Sequence, residues 1–167
     1  MQYISSYASP LGEILLSADT ACLTGLWFPG QKYFARTLGP DPVEREIPVF
    51  TQTKHWLDLY FSGRRPDFTP PMHLSGTDFQ RDVWQLLAAI PYGEIRTYGQ
   101  VAQALAEKRG LPHMSAQAVG GAVGRNPISI LIPCHRVVGA KGALTGYAGG
   151  IDRKRWLLTL EQAQNHG

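Results

Sequence analysis

Two adjacent residues, Cys134 and His135, are the pair in this 167-residue chain best suited to covalent chemistry. The thiolate is the reacting form of a cysteine, and a neighbouring base is the usual means of generating it near neutral pH. Neighbouring side chains of an extended segment point to opposite faces, so His135 reaches Cys134 only across a turn or through a bridging water. Glu161, on a helical pattern downstream, is the acid placed to hold the imidazole in one tautomer. Together they form a candidate nucleophile–base–acid relay. The plainer reading is a buried structural cysteine beside a hydrogen-bonded histidine, because most free cysteines are inert core. Cys22, the other cysteine, makes no zinc-binding spacing with Cys134, and none of His55, His73, His113 or His166 completes one. No metal is expected, and a reducing compartment leaves both thiols free.

The elements that position this set divide at a proline-rich stretch, Pro66 to Gly76. Residues 1–76 read as one lobe: a hairpin of Tyr3 to Tyr7 and Gly12 to Ser17 around Pro10-Leu11-Gly12, then a third strand, Ala21 to Phe28. A loop runs to Pro48. Val49, Phe50, Thr53, Trp56, Leu57, Tyr60 and Phe61 then recur at helical spacing up to Gly63. These aromatics read as core, and no catalytic residue types cluster in this lobe. Residues 77–167 form the second lobe and are mostly helical. Thr77-x-x-Gln80 and Thr97-x-x-Gln100 are capping boxes, and Ser115 caps a third helix carrying Val119, Gly120 and Val123. Ile128 to Ile132 is a short apolar run rich in β-branched residues and predicts a buried strand delivering Cys134 to its end. Gly146 to Gly150 is a loop open to close approach, and Asp152 is expected to cap the helix that carries Glu161. The fold class is therefore mixed α/β: a small antiparallel sheet with a helix, followed by a winged helix-turn-helix-like lobe.

The composition fits a globular domain, with 44% hydrophobic and 17% charged residues, and excludes disordered, collagen-like and disulfide-scaffold classes. No apolar run approaches the roughly 20 residues of a membrane helix, and Met1 to Ser9 lacks the basic start of a signal peptide. A cytoplasmic or nuclear protein is expected, the cytoplasm being the default. The net charge of +3 is uneven: residues 1–76 hold 6 Lys/Arg against 7 Asp/Glu, whereas residues 77–167 hold 10 against 6. That division suggests an anionic partner for the second lobe alone. Two short helices joined by a tight loop in this basic half suggest a helix-turn-helix for DNA, although helical hairpins also occur in proteins that never meet DNA.

Pro133-Cys134-His135-Arg136-Val137, with Asn126-Pro127 before it and Gly146-Tyr147-Ala148-Gly149-Gly150 after it, resembles the signature of the O6-alkylguanine-DNA alkyltransferases. The resemblance extends through Phe79-Gln80-x-x-Val83-Trp84, Pro91-Tyr92-Gly93-Glu94, Tyr98-Gly99 and Arg153-Lys154-x-Trp156-Leu157-Leu158, over residues 77–161. It implies a monomer that binds duplex DNA through the minor groove and flips an alkylated guanine into a pocket. The alkyl group then passes from O6 to a cysteine in one irreversible turnover, without a cofactor. By this resemblance Cys134 is the acceptor, His135 the base through a water, Glu161 its orienting acid and Asn126 the brace of the loop. Tyr98 presses on the backbone and donates to the departing guanine. Tyr147 walls the pocket, the N–H of Ala148 faces O6, and the carbonyls of Cys134 and Val137 read the guanine amino group. Ser115, Gln117, Ala118, Gly120, Gly121, Arg125 and Arg136 are carried over as DNA contacts. Gln117 departs from the family, which has arginine there to fill the space of the flipped base.

The chemistry of such a step is consistent with these residue types. Extrusion of a base is required because its O6 atom is out of reach within a duplex. Guanine leaves badly as an anion, so donors are needed where its charge develops. The thioether product offers no leaving group, and the protein is spent after one event. The resemblance leaves O4-alkylthymine open as a second substrate. A base-flipping damage sensor without transfer is the alternative from within the same architecture, and Cys134 argues against it. A cysteine hydrolase leaves the helix-turn-helix without a role, and a transcriptional regulator leaves the relay idle.

Overall fold

The turn at Pro10-Leu11 closes a hairpin in the computed structural model, which describes residues 1–165 and the side chains of residues 1–163. His166 lies outside the described residues. Strand β1 (Tyr3–Ser9) pairs antiparallel with β2 (Gly12–Ala18), from Tyr3↔Ala18 to Ser9↔Gly12. Gly12 has φ +113°, a conformation that favours glycine, and Ser9 closes the turn by donating to the Gly12 carbonyl at 2.6 Å. Strand β3 (Leu23–Trp27) pairs antiparallel with β2. The loop that follows contains an element absent from the sequence pattern, β4 (Val43–Glu44), which adds to β1 in parallel and makes the sheet mixed, in the order β3-β2-β1-β4. Two residues are too few to show a period. Helix α1 (Pro48–Phe61) begins with proline in its first turn, where a missing N–H costs nothing, and buries Val49, Phe50, Trp56, Leu57 and Tyr60.

The second half is built on three helices that pack on one another. Helix α2 (Asp78–Ala88) opens with the Thr77/Gln80 capping box, and α3 (Tyr98–Lys108) opens with that of Thr97 and Gln100, both reciprocal as expected. Ser115 accepts from the Ala118 N–H and caps α4 (Ala116–Gly124). The Trp84 indole is fully buried and donates to the Ala122 carbonyl at 2.9 Å, so α2 and α4 are pinned by a polar bond inside an apolar contact. Strand β5 (Arg96–Thr97), before α3, pairs in parallel with β6 (Val137–Val138), and α5 (Ile151–Asn165) packs on the turn that precedes β6. Asp152 lies within the first turn of α5 rather than capping it.

The apolar run Ile128 to Ile132 is buried but is not a strand. It makes one bridge, Leu26↔Ile128, to the edge strand β3 and then turns, with Ile130 at φ +73°. The reason is polar. The Asn126 side chain accepts from the Ile128 N–H at 3.0 Å and donates to the Ile132 carbonyl at 2.7 Å, closing the segment on itself. Leu26 of β3 receives the rest, its N–H donating to Pro127 and its carbonyl accepting from Ser129. The edge of the sheet is thus covered by the segment that leads into Cys134, and the apolar core runs through both halves of the chain.

Candidate active site

Cys134, His135 and Arg136 occupy a single 3₁₀ turn, not an extended segment. Adjacent residues of such a turn project about 120° apart. All three are buried, and the side chains of His135 and Arg136 both reach Glu161 on α5. His135 Nε2 lies 2.6 Å from Glu161 Oε2, while Arg136 donates from Nε to Oε1 at 2.7 Å and from Nη2 to Oε2 at 3.1 Å. The Gly93 N–H donates to Oε1 at 3.3 Å and the Tyr60 hydroxyl to Oε2 at 2.5 Å. Burial alone would raise the Glu161 carboxyl. The bonds from His135 and Arg136 outweigh it and hold the group well below the usual carboxylate range.

An ionised carboxylate only accepts, so Nε2 carries the imidazole proton and Nδ1 presents a lone pair. Nδ1 is buried and makes no hydrogen bond among the described residues. Burial pushes the His135 imidazole below its ordinary value; Glu161 opposes this, whereas the charges of Arg136 and Lys154 reinforce it. The ring is therefore neutral at neutral pH, with Arg136 balancing Glu161. Burial likewise pushes the Cys134 thiol up, against the hydrogen-bonding influence of Asn126 and Tyr147 and the positive charge of Lys154, all of which favour the thiolate. The resting group is a thiol and needs a base.

Arg136 was expected on the DNA surface. It is instead turned inward, bound to Glu161 and to the Ile90 carbonyl at 2.8 Å, and its guanidinium lies over the Tyr92 ring. A buried carboxylate needs a counterion more than a solvated surface needs one more cation. Lys154 and Tyr60 were not expected at the site at all. Lys154 is fully buried and donates to the carbonyls of Val137 at 2.5 Å and Thr145 at 3.1 Å. Its sequence signals are a place in the Arg153-Lys154-x-Trp156-Leu157-Leu158 motif, to which no role was attached, and a cation four positions after a glycine, which periodicity does not distinguish from a solvated face.

A cavity of about 590 Å³ opens beside the relay. Its wall brings together Tyr98 at the start of α3, Gln117, Gly120, Gly121 and Arg125 of α4 and its end, and Tyr147 and Ala148 of the glycine-rich loop. Cys134 is not on this wall; it is 5% exposed and interacts with Tyr98 and Tyr147, which are. The Tyr98 hydroxyl donates to the Gly146 carbonyl at 3.2 Å. Gly149 admits no side chain, since a Cβ there would come within 2.7 Å of the Tyr147 ring. Ser115, Gln117, Ala118 and Gly121 are exposed, so the outer face of α4 is bare of large side chains. The carbonyls of Cys134 and Val137 already accept one bond each, from the Val137 N–H and from Lys154, which leaves each one lone pair.

The first half of the chain also reaches this cavity, which its charge balance did not suggest. Lys32 and Tyr33 line it, and the Lys32 N–H donates to the Ala148 carbonyl at 2.9 Å. Tyr33 has φ +62°, and Arg125 lies over its ring, 4.8 Å from the centroid.

Two family models match the chain: the 6-O-methylguanine DNA methyltransferase ribonuclease-like domain over residues 2–74, and the DNA binding domain of the same proteins over residues 78–163. The chain belongs to the 6-O-methylguanine DNA methyltransferase family. A methylated-DNA–protein-cysteine methyltransferase of Mycobacterium leprae is 44% identical over 164 residues, covering 98% of this chain and 94% of its own. That of Mycobacterium tuberculosis is 46% identical over 158 residues, covering 93% and 90%. The crystal structure of Mycobacterium tuberculosis OGT in complex with DNA superposes with a TM-score of 0.82 at 42% identity, covering 97% of this chain and 94% of the other. In this methyltransferase fold the described residues include no helix long and apolar enough to cross a membrane.

Proposed function

We propose that Cys134 is the alkyl acceptor of a methylated-DNA–protein-cysteine methyltransferase, activated by His135 and oriented by Glu161. The protein repairs DNA by direct reversal, moving an alkyl group from a base to its own cysteine. What carries the assignment is the buried relay: Glu161, held ionised, fixes the proton on Nε2 and leaves Nδ1 as the basic nitrogen. His135 takes the Cys134 proton through a bridging water, and sulfur attacks the alkyl carbon as the carbon–O6 bond breaks. The charge left on guanine meets the Ala148 N–H at O6. Tyr98 gives its hydroxyl proton to the base and regains one from solvent. Lys154 supports the thiolate as it forms, since its positive charge already acts on Cys134. The product is a thioether, and the protein is consumed.

Duplex DNA is the partner. The exposed Ser115, Gln117, Ala118 and Gly121, together with Gly120 and Arg125, form the face that meets it, and the small residues permit close approach of the backbone. Gln117 fills the place of the flipped base, Tyr98 presses on the phosphate backbone and Tyr147 walls the pocket. Asn126 braces the loop beneath. We read residues 1–76 and 77–167 as the two lobes of a monomer that works in the cytoplasm, where DNA is at hand and a free thiol persists. No cofactor is needed by this chemistry, and no metal.

The test is a mass spectrum after exposure to duplex DNA carrying O6-methylguanine. One methyl per protein, on Cys134 and with no second turnover, is expected. Repeated turnover would speak for a hydrolase, and binding without a mass gain would speak for a sensor.

A further inference from the structure

The relay does not lie wholly within the second lobe. Tyr60, on α1, is fully buried and 101 positions from Glu161, yet its hydroxyl donates to Glu161 Oε2 at 2.5 Å. That is the same oxygen approached by His135 Nε2, and the phenol oxygen lies 3.5 Å from Nε2 itself. The ring has little freedom. It stacks on Trp56 with centroids 5.2 Å apart and planes 9° apart, and it meets the edges of Phe61 and Tyr92. A ring needed for packing alone requires no hydroxyl, as the neighbouring Phe61 illustrates, and burying a hydroxyl costs free energy unless an acceptor meets it. The acceptor here is the carboxylate that orients the base.

We propose that Tyr60 is a positioning residue for alkyl transfer, sharing Oε2 with His135 and so setting how firmly Glu161 holds the imidazole. The inference rests on the His135–Glu161 relay described above. Each donor that a carboxylate oxygen accepts draws on the same negative charge, so the Tyr60 bond weakens the pull of Glu161 on the Nε2 proton. Without the hydroxyl, Glu161 holds that proton more tightly and stabilises the protonated ring. Besides Glu161, the charged groups acting on the ring are Arg136 from its own turn, which also holds Cys134, and Lys154 from α5; Tyr92, from the segment after α2, acts on the carboxylate, with Arg65 and Arg136 over its ring. Arg136 and Lys154 oppose protonation, and Tyr60 acts in the same direction as they do. The sheet lobe thereby enters the chemistry through one hydroxyl.

The decisive measurement is the pH dependence of the single-turnover rate on methylated duplex for the full chain and for Tyr60→Phe and Glu161→Gln. Tyr60→Phe retains the ring, and the acid limb of its rate profile is expected to move up by about half a pH unit or more. At a pH on that limb the rate falls roughly threefold relative to the parent, and it recovers at higher pH. A uniform loss at every pH, or no change at any, would overturn the proposal and leave Tyr60 a packing residue. Unaltered rate and pH profile in Glu161→Gln would mean that the relay itself is misassigned, a separate failure. If Tyr60→Phe does not fold, the hydroxyl proton of Tyr60 is followed by NMR in the unsubstituted protein. It should shift with the titration of His135; a resonance indifferent to that titration overturns the proposal equally.

Discussion

The buried relay and the outer face of α4 are built in opposite ways. In the relay Tyr60, His135 and Arg136 are buried and converge on the Glu161 carboxylate, each bound to one of its oxygens or both. By contrast, α4 presents Ala116, Gln117, Ala118 and Gly121 to solvent with hardly a side chain to commit. The difference follows from the two tasks. A reacting atom needs a fixed environment, which only burial and complete hydrogen bonding provide. A surface that accepts DNA of any sequence needs close approach and charge, and gains little from fixed partners. Substitutions on the buried side should therefore cost stability and chemistry together, and those on α4 should cost chemistry on duplex alone.

The sharpest break is at the nucleophile. Cys134→Ser should abolish alkyl transfer in the mass spectrum while duplex affinity stays within about twofold by gel shift, and Cys22→Ser should change neither. Methyl adducts mapped to Cys22 on the folded protein would refute the assignment. Next comes the counterion. Arg136→Ala strands the Glu161 carboxylate and the Ile90 carbonyl in the interior and should cost about 3–5 kcal/mol of folding stability, measured by urea denaturation. Arg125→Ala, on the α4 side, should cost about 0.5 kcal/mol or less in the same measurement.

The pH dependence of stability sharpens the contrast further. His135 and Glu161 both lie below their ordinary values in the folded chain, so the folded state binds fewer protons than the unfolded one. Their contribution is present above the unfolded values and is lost as pH falls, first through about 6.5 for His135 and then through about 4.3 for Glu161. Cys134 is displaced the other way, so its contribution holds below about 8.5 and is lost above it. The melting temperature should peak between these limits. In Cys134→Ser the alkaline decline should shrink and the acid one remain.

The smallest effects belong to the exposed helix. Arg125→Ala should lower the salt slope of duplex binding by about 1 if its guanidinium leaves the Tyr33 ring for a phosphate. Gln117→Ala should slow repair of duplex and barely alter reaction with free O6-alkylguanine base, whereas Gln117→Arg should match or exceed the parent on duplex. A glutamine amide pairs with an orphaned base but lacks the charge and planar fork of a guanidinium. Equal effects on both substrates would remove the proposed role in base displacement.

Local chemistry was legible in the chain wherever one short stretch supplies both partners of an interaction. The capping boxes of Thr77 and Thr97, the Ser115 cap, the hairpin at Pro10 and the aromatic face of α1 each involve neighbours within a turn or two, so spacing alone determined them. Cys134, His135 and Glu161 were legible as residue types capable of acting together. Their arrangement was not. Ile128 to Ile132 has the composition of a strand and becomes a turn because Asn126 and the edge of β3 take up its polar groups. Arg136 faces inward because a carboxylate 25 positions away is buried beside it, and Lys154 is buried because two carbonyls receive its ammonium. Tyr60 looks like any core aromatic until folding brings its hydroxyl to Glu161. Hydrophobic periodicity tells which face of an element is covered, but not by what. A buried charge or hydroxyl is decided by the partner it meets, and only the tertiary structure supplies that partner.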